Sequence, residues 1–175
     1  DASKVTCEDG KQRPTIVHVF GGGFKEGSRA ETWLRPWFRE MNAKGYRMIT
    51  IDYRLGLKGV RGVTQSEFAR LLDNAINIAV EDLFSATEYL LKNGASMGID
   101  PNNIVVTGSS AGAITVQQAE WEICNSTPLA AGLPEGFNYK GVMAFAGAVL
   151  VDGPLGYKSA PCPVMMFHGT EDELV

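Results

Sequence analysis

The sequence predicts an α/β fold in which a doubly wound, mostly parallel sheet carries helices on both faces. Five short segments are apolar at most positions, which is typical of parallel strands that are buried on both faces. Longer amphipathic segments separate them. Such segments form the right-handed crossover connections between the parallel strands of a doubly wound sheet. In this class, ligands bind at the carboxyl ends of the strands.

The predicted strands are rich in Val, Ile, Met or Phe. They are residues 15–20, 47–53, 104–108, 141–147 and 163–168. The apolar run from Val142 to Val151 is interrupted by Gly147, and it is shorter than the roughly 20 residues that a membrane span requires. We therefore predict a buried strand there and no membrane span.

The first predicted helix lies within residues 28–45. Ser28 and Glu31 have the spacing of a capping box, and Gly45 is placed to end the helix. Pro36 lies inside this stretch. The helix is therefore expected either to begin at Pro36 or to kink there.

The second predicted helix begins at Thr64, which has Glu67 three residues later as a second capping box. Its apolar spacing continues to Gly94. Because about 30 residues is long for a globular helix, we predict a break near Asn77. A third helix is predicted over residues 111–125.

Charge and composition exclude several classes of partner. The 175 residues include 16 basic and 20 acidic side chains, for a net charge of −4. This balance lacks the basic surface that nucleic acid or an anionic membrane requires. The first residues show no signal peptide, so both a cytoplasmic and a secreted location remain open. No oligomeric state is predicted.

The three cysteines, Cys7, Cys124 and Cys162, are too few and too scattered for a zinc site or a redox CxxC pair. We expect buried or unpaired thiols. One disulfide with one free thiol is the alternative if the protein is exported. Nothing in the sequence indicates a cofactor or a metal.

A serine motif, GSSAG, occupies residues 108–112 between a predicted strand and a predicted helix. It fits GxSxG with Ser110 at the centre. In that context a sharp strand-to-helix turn exposes the serine hydroxyl above the sheet. The amide of Ala111 then lies at a helix N-terminus, where it faces a developing oxyanion. The alternative is a plain glycine-rich turn.

A glycine loop, HVFGGGF, occupies residues 18–24 directly after the first predicted strand. Consecutive glycines let the backbone approach a substrate and present successive N–H groups, which predicts the second half of an oxyanion hole. Phosphate binding is a weak alternative, since neither GxGxxG nor GxxxxGK[ST] fits. A flexible loop is the other alternative.

The segment HGTED, residues 168–172, closes the last predicted strand. A carboxylate at this position can orient a catalytic histidine, so Asp172 is the candidate acid. Glu171 and Glu173 are interpreted as solvated neighbours. Asp152 is the reserve candidate for the acid.

Four segments together resemble the α/β-hydrolase carboxylesterases and lipases, and in particular the hormone-sensitive-lipase-like esterases with a GGG-type oxyanion loop. The segments are HVFGGGF, IDYRL, GIDPNNIVVTGSSAGA and PVMMFHGTEDELV. The resemblance implies that Ser110 is the nucleophile and Asp172 the triad acid. It also implies an oxyanion hole formed by the amides of Gly22, Gly23 and Ala111.

The chain departs from the family pattern in two ways. Relatives often have a histidine where this chain has Phe20, which puts the anchoring of the glycine loop in question. Relatives also supply the general base as a histidine some tens of residues after the acid, whereas this chain ends at Val175. We expect His18 and His168 to be core or strand-end residues and the base to lie beyond Val175.

The resemblance also implies further strands before the first predicted strand and after the acid. We therefore expect residues 1–175 to form a single, partial α/β-hydrolase domain, truncated at both ends. Arg54 and Asp82 are expected to be structural, as in the family.

The predicted function is that of a serine carboxylic-ester hydrolase acting on a small-molecule ester. A catalytically inactive α/β-hydrolase-fold protein with a binding or receptor role is the alternative.

Overall fold

The computed structural model describes residues 13–151 and 154–172 of the chain. These residues contain one sheet of parallel strands. The strands are β1 (Thr15–Val19), β2 (Arg47–Ile51), β3 (Ile104–Ser109), β4 (Gly141–Phe145) and β5 (Val164–Phe167). Their order across the sheet is β2-β1-β3-β4-β5. The predicted α/β fold class is confirmed.

The sheet has its topological switch point between β1 and β3. The chain leaves β1 for β2 on one side and later returns to β3 on the other side. Val19 at the end of β1 pairs with Ile51 of β2 and with Gly108 of β3. The segments that follow β1 and β3 therefore diverge and leave a crevice at the carboxyl ends of these two strands. The glycine loop and Ser110 both lie at this crevice.

Three α-helices accompany the sheet in the described part of the chain. They are α1 (Arg35–Ala43), α2 (Gln65–Asn93) and α3 (Ala111–Asn125), with short 3-10 helices at Thr32–Leu34, Gly94–Met97 and Pro128–Ala130. The third helix has its predicted bounds. None of the helices described is long and apolar enough to cross a membrane.

The capping box predicted for Ser28 and Glu31 is wrong. Ser28 Oγ instead accepts a hydrogen bond from Ala30 N at 3.1 Å, which closes a local turn. Helix α1 begins only at Arg35, with Pro36 in its first turn. Proline is tolerated there because the first amides of a helix have no intrahelical acceptor. Of the two alternatives for Pro36, a helix start is therefore confirmed and a kink is wrong.

The break predicted near Asn77 is also wrong, because α2 continues without interruption for 29 residues. Its start carries the predicted capping box of Thr64 and Glu67. A stripe of buried side chains continues on both sides of Asn77 and holds the helix in one piece. The stripe consists of Ala75, Ile76, Ala79, Val80, Leu83, Phe84, Thr87 and Leu90.

The two faces of the sheet are covered by different helices. Val17 and Val19 of β1 belong to the core cluster that includes side chains of α2 and α3. His18 lies between them and therefore points to the opposite face, since side chains alternate along a strand. There its ring centroid lies 5.6 Å from that of Trp37 and 5.7 Å from that of Phe38, both in α1.

Strand β5 does not have the two buried faces that were predicted. All of its side chains are exposed, namely Val164, Met165, Met166 and Phe167. It is the edge strand, and no helix or strand of the described residues covers it, so only β4 pairs with it. The strand predicted over residues 141–147 ends early, at Phe145, because Ala146 has a left-handed φ of +51°.

Candidate active site

A sharp turn joins β3 to α3 at Ser110. The φ of Ser110 is +52° and its ψ is −121°, a conformation that costs a residue other than glycine about 1–3 kcal/mol. Two backbone hydrogen bonds hold it. Ser110 N donates to Phe145 O at 2.8 Å, and Ser110 O accepts from Ile114 N at 2.9 Å. A sharp strand-to-helix turn of this kind is the backbone geometry expected for GxSxG, and Ser110 is half-buried in it.

The two glycines of GSSAG are required by close backbone contacts. A Cβ on Gly108 would lie 2.3 Å from the backbone of Gly112, so the turn closes only without side chains. A Cβ on Gly112 would lie 2.1 Å from Val19 O. The absence of that atom lets α3 begin directly against the end of β1, which brings Ser110 to the crevice.

The glycine loop contacts the serine turn. A Cβ on Gly21 would lie 2.8 Å from Ser109 O and 3.3 Å from Ser110 Cβ. The next two glycines have left-handed φ values, +115° for Gly22 and +61° for Gly23, which favour glycine at both positions. The structure therefore brings the two predicted motifs together.

Two amides of this loop have no acceptor among the described residues. Gly22 O accepts hydrogen bonds from Lys25 N at 3.0 Å and from Glu26 N at 3.2 Å, which folds the loop back on itself. Within residues 13–151 and 154–172, neither Gly22 N nor Gly23 N donates a hydrogen bond. Ala111 is the first residue of α3, and the first amides of a helix have no intrahelical acceptor.

Asp172 follows β5, and its Oδ2 lies 3.4 Å from Nε2 of His168. Hydrogen bonds connect the ends of β3, β4 and β5, since Ala146 N donates to Phe167 O at 2.8 Å and Ser110 N donates to Phe145 O. Two strand spacings, roughly 10 Å, therefore separate the end of β3 from the end of β5. Asp152, the reserve candidate, and Glu173 lie outside the described residues.

His18 is not placed to act on Ser110. Its ring is buried against α1, on the face of the sheet opposite α3, and neither ring nitrogen has a hydrogen-bond partner among the described residues. Burial lowers the pKa of His18 to about 4, because desolvation disfavours the charged imidazolium. The expectation that His18 is a core residue is confirmed.

Arg54 and Asp82 form a structural contact between the end of β2 and α2. Arg54 Nε lies 2.9 Å from Asp82 Oδ1, and Arg54 N donates to Asp82 Oδ2 at 2.7 Å. Arg54 Nη2 also donates to Glu81 at 2.8 Å. The hydrogen bonds to Asp82 and Glu81 raise the pKa of the Arg54 guanidinium above its usual value. The pair agrees with the structural role expected for it.

Glu120 was not among the predicted site residues, because a lone acidic residue in a helix is usually solvated. Here it is buried, and its Oε1 accepts hydrogen bonds from Cys162 N at 2.6 Å and from Cys124 Sγ at 3.5 Å. Burial and the Glu120 carboxylate raise the pKa of Cys124 to about 11. Both cysteines are free and buried, as expected, and Cys7 lies outside the described residues.

No group of three or more His, Cys, Asp or Glu side chains in the described part of the chain is arranged to hold a metal ion. A groove of about 970 Å³ runs between α2, α3 and the segment around Leu150, with Leu72, Gln118 and Trp121 among its lining residues. Ser110 does not line it. The groove is therefore separate from the serine turn.

Comparison with known proteins identifies the family. A family model described as BD-FAE matches residues 5–119, more than half of the chain. The chain belongs to the BD-FAE family. The match includes both the glycine loop and GSSAG, whose contact is described above.

Relatives of this BD-FAE chain include secreted lipase 1 of Botryotinia fuckeliana (strain B05.10), 28% identical over 144 residues that cover 81% of this chain and 23% of the relative. Esterase B1 of Culex pipiens is 33% identical over 104 residues, which cover 59% of this chain and 18% of the relative. The BD-FAE chain thus spans less than a quarter of either relative. The resemblance to the carboxylesterase and lipase family is confirmed.

A solved structure supports the same fold. Esterase 2 of Thermogutta terrifontis phosphoramylated by tabun matches the BD-FAE chain with a TM-score of 0.66 at 23% identity. The match covers 97% of this chain and 66% of that esterase. The described sheet and helices are therefore part of an α/β-hydrolase fold.

Proposed function

We propose that the protein is a serine hydrolase of carboxylic esters that forms an acyl-enzyme on Ser110. The observation that carries the proposal is the strained backbone of Ser110, with φ +52°, directly beside a glycine loop. Strain of this kind persists where the surrounding structure enforces it, and it is concentrated at functional sites. The lipase and esterase relatives support the same reaction class.

In this proposal the amides of Gly22, Gly23 and Ala111 form the oxyanion hole. Support comes from the two glycine amides, which donate no hydrogen bond within the described part of the chain, and from the position of Ala111 at the start of α3. Each such donor contributes about 2.7–4 kcal/mol to stabilisation of the transition state. Two or three amides therefore supply a large part of the rate enhancement.

The reaction proceeds in two halves. A histidine removes the proton of Ser110 Oγ as this oxygen attacks the ester carbonyl carbon, and the carbonyl oxygen becomes the oxyanion. The intermediate expels the alcohol, which takes the proton from the histidine, and the acyl group stays on Ser110. Water then attacks the acyl carbonyl and gives its proton to the histidine. The acid leaves, and Ser110 regains its proton.

Asp172 is proposed to orient the histidine and to stabilise its charged form. The base is proposed to be a histidine that follows Asp172 in the full-length protein. His18 is unsuitable because its buried ring lies on the other face of the sheet. His168 is the second choice, since its Nε2 already lies 3.4 Å from the Asp172 carboxylate.

The proposed substrate is a small-molecule ester, and the mechanism requires no cofactor. The alternative, an inactive binding or receptor protein, is not favoured. It offers no reason for a strained serine beside unpaired amides, and the relatives reported above are a lipase and esterases.

A fluorophosphonate probe tests the nucleophile in the full-length protein. We expect one adduct, on Ser110, by intact-protein and peptide mass spectrometry. Ser110→Ala should lose the adduct and reduce the turnover of p-nitrophenyl butyrate by about 10⁴-fold or more. Ser109→Ala, which changes the neighbouring serine of the same motif, should keep the adduct. Normal turnover by Ser110→Ala would overturn the proposal.

Two further variants test the acid and the base. Asp172→Asn should reduce kcat by about 10⁴-fold with little effect on folding, because the asparagine cannot hold the histidine in the required tautomer. His168→Ala should remain within tenfold of the wild-type rate. Full turnover by Asp172→Asn would transfer the role of the acid to Asp152, and loss of activity in His168→Ala would make His168 the base.

A further inference from the structure

The segment that follows β2 holds the glycine loop in place. Tyr53 OH donates a hydrogen bond to Phe20 O at 3.0 Å. The ring of Tyr53 stacks on that of Phe20, with centroids 4.4 Å apart and planes at 23°, and it meets the ring of Phe24 edge-on at 6.2 Å. Leu57 N also donates to Phe24 O at 3.0 Å. Both ends of the glycine run are therefore tied to residues 53–57.

The Phe20 carbonyl is held from two sides. Tyr53 OH binds it on one side. On the other side the backbone of Gly112 approaches so closely that an added Cβ would lie 2.6 Å from the same oxygen. Tyr53 is almost fully buried, and this burial raises its pKa, so its hydroxyl keeps its proton and stays a donor. The carbonyl thus connects the glycine loop, the first turn of α3 and Tyr53.

We propose that Tyr53 is the positioning residue of the oxyanion loop. Its hydroxyl fixes the orientation of the peptide between Phe20 and Gly21, and so sets the direction of the following amides of Gly22 and Gly23. This inference rests on the proposed function. Tyr53 acts through the loop and does not touch the reacting atoms. It supplies the anchoring that the change from histidine to Phe20 put in question.

Removal of the hydroxyl alone separates positioning from packing. In the full-length protein, Tyr53→Phe keeps the stacked ring but frees the Phe20 carbonyl. Because a misplacement of about 1 Å costs up to 10²-fold in rate, we expect kcat for p-nitrophenyl butyrate to fall about 10- to 100-fold. KM should stay within threefold. Affinity for a trifluoromethyl ketone, whose adduct with Ser110 carries an oxyanion, should fall by the same factor as kcat.

Tyr139 supplies the matched control. It is also a buried tyrosine, and its hydroxyl lies 2.8 Å from Thr87 Oγ1, between α2 and the segment before β4. Tyr139→Phe likewise removes one buried hydrogen bond. It should leave kcat and the affinity for the trifluoromethyl ketone unchanged, because the Tyr139 hydroxyl bonds to Thr87 of α2 and its ring meets Phe137, both outside the glycine loop.

A second pair of variants disturbs the loop without altering Tyr53. A Cβ on Gly27 would lie 2.4 Å from the Phe20 ring and 2.7 Å from Gly21 O, so Gly27→Ala should displace the Phe20 ring and reduce kcat and inhibitor affinity together. Gly59 has a similar left-handed φ, +79°, but nothing lies within 4 Å of the added atom. Gly59→Ala should therefore leave both quantities unchanged. If Tyr53→Phe does not fold, wild-type kcat and inhibitor affinity in folded Gly27→Ala would overturn the inference, because displacement of Phe20 would then leave the following amides unaffected.

Wild-type kcat and inhibitor affinity in folded Tyr53→Phe would overturn this inference. An equal loss in Tyr139→Phe would also overturn it, since the effect would then be general destabilisation. The fluorophosphonate experiment distinguishes the two failures. If the wild type forms no adduct on Ser110, the proposed function fails; if it forms the adduct and Tyr53→Phe behaves as the wild type, only the role of Tyr53 fails.

Discussion

Ser110 keeps a backbone conformation that its side chain disfavours, and its neighbours explain how. Hydrogen bonds to Phe145 and Ile114 hold its amide and carbonyl, and the glycines at 108 and 112 leave room for the turn. The local strain costs about 1–3 kcal/mol, and the hydrogen bonds that Ser110 makes to β4 and within α3 offset it. Ser110 is half-buried at this turn.

His18 makes the stability of the fold depend on pH. Its pKa is about 4 in the fold and close to 6.5 in the unfolded chain. Below pH 6.5 the unfolded state therefore binds a proton that the native state does not, and the free energy of unfolding falls until about pH 4. Between pH 7 and pH 4.5 this effect amounts to about 2 kcal/mol.

His18→Phe should remove that contribution. Urea unfolding at pH 7 and at pH 4.5 should show a difference between the two pH values that is about 2 kcal/mol smaller in the variant than in the wild type. Carboxylates titrate in both proteins, so the comparison isolates the imidazole. An identical pH dependence in the two proteins would contradict this, because it would mean that the pKa of His18 is the same in the native and unfolded states.

Helix α2 shows how packing decides the length of an element. Its capping box, formed by Thr64 and Glu67, defines where the helix begins. Beyond this first turn, the buried stripe against α3 and the sheet keeps the helix continuous, since most helical stability in proteins comes from an amphipathic face that packs. Arg54 adds a lateral contact to Asp82 midway along α2.

Thr64→Ala should lower the free energy of unfolding by about 1 kcal/mol, because Glu67 N loses its side-chain acceptor. Ser28→Ala is the matched control, since Ser28 fits the same sequence pattern but caps no helix. Its effect should stay within about 0.5 kcal/mol. Urea denaturation measures both. Equal losses in the two variants would contradict the capping role of Thr64.

Across the whole molecule, α3 connects the serine turn to the strand that carries the candidate acid. Ser110 lies at its N-terminus, while Glu120 in its middle accepts the hydrogen bond from Cys162 N, just before β5. The next residue of the helix, Trp121, donates from Nε1 to Gly156 O at 2.9 Å. Both hydrogen bonds fix the connection between β4 and β5, so α3 positions the segment that leads into β5.

Glu120→Ala should lower the free energy of unfolding by about 3 kcal/mol, because it leaves a buried amide without an acceptor and opens a cavity. Glu120→Gln keeps an acceptor oxygen of nearly the same size, and its effect should stay within about 1 kcal/mol. Urea denaturation of the two variants gives the comparison. A loss in Glu120→Gln as large as in Glu120→Ala would show that the charge, rather than the acceptor, is required.

Local patterns determined the fold class, the strands, the start of α2 and the serine and glycine motifs. Each depends on short-range physics. Apolar runs require burial, a capping box satisfies amides within four residues, and the GSSAG glycines are needed by a turn that closes on itself. These features can be predicted from the sequence because the partners of each residue lie nearby in the chain.

Tertiary structure alone decided the features whose partners are distant in the chain. The bond from Tyr53 to the Phe20 carbonyl spans 33 positions, and the bond from Cys162 to the buried Glu120 spans 42. The unbroken course of α2 and the exposure of β5 likewise depend on other elements of the fold. The burial and hydrogen bonding of a residue depend on which elements pack around it in the folded protein. Sequence periodicity indicates only which face of an element is apolar. The contact between the glycine loop and Ser110 likewise exists only because β1 and β3 are neighbours in the sheet.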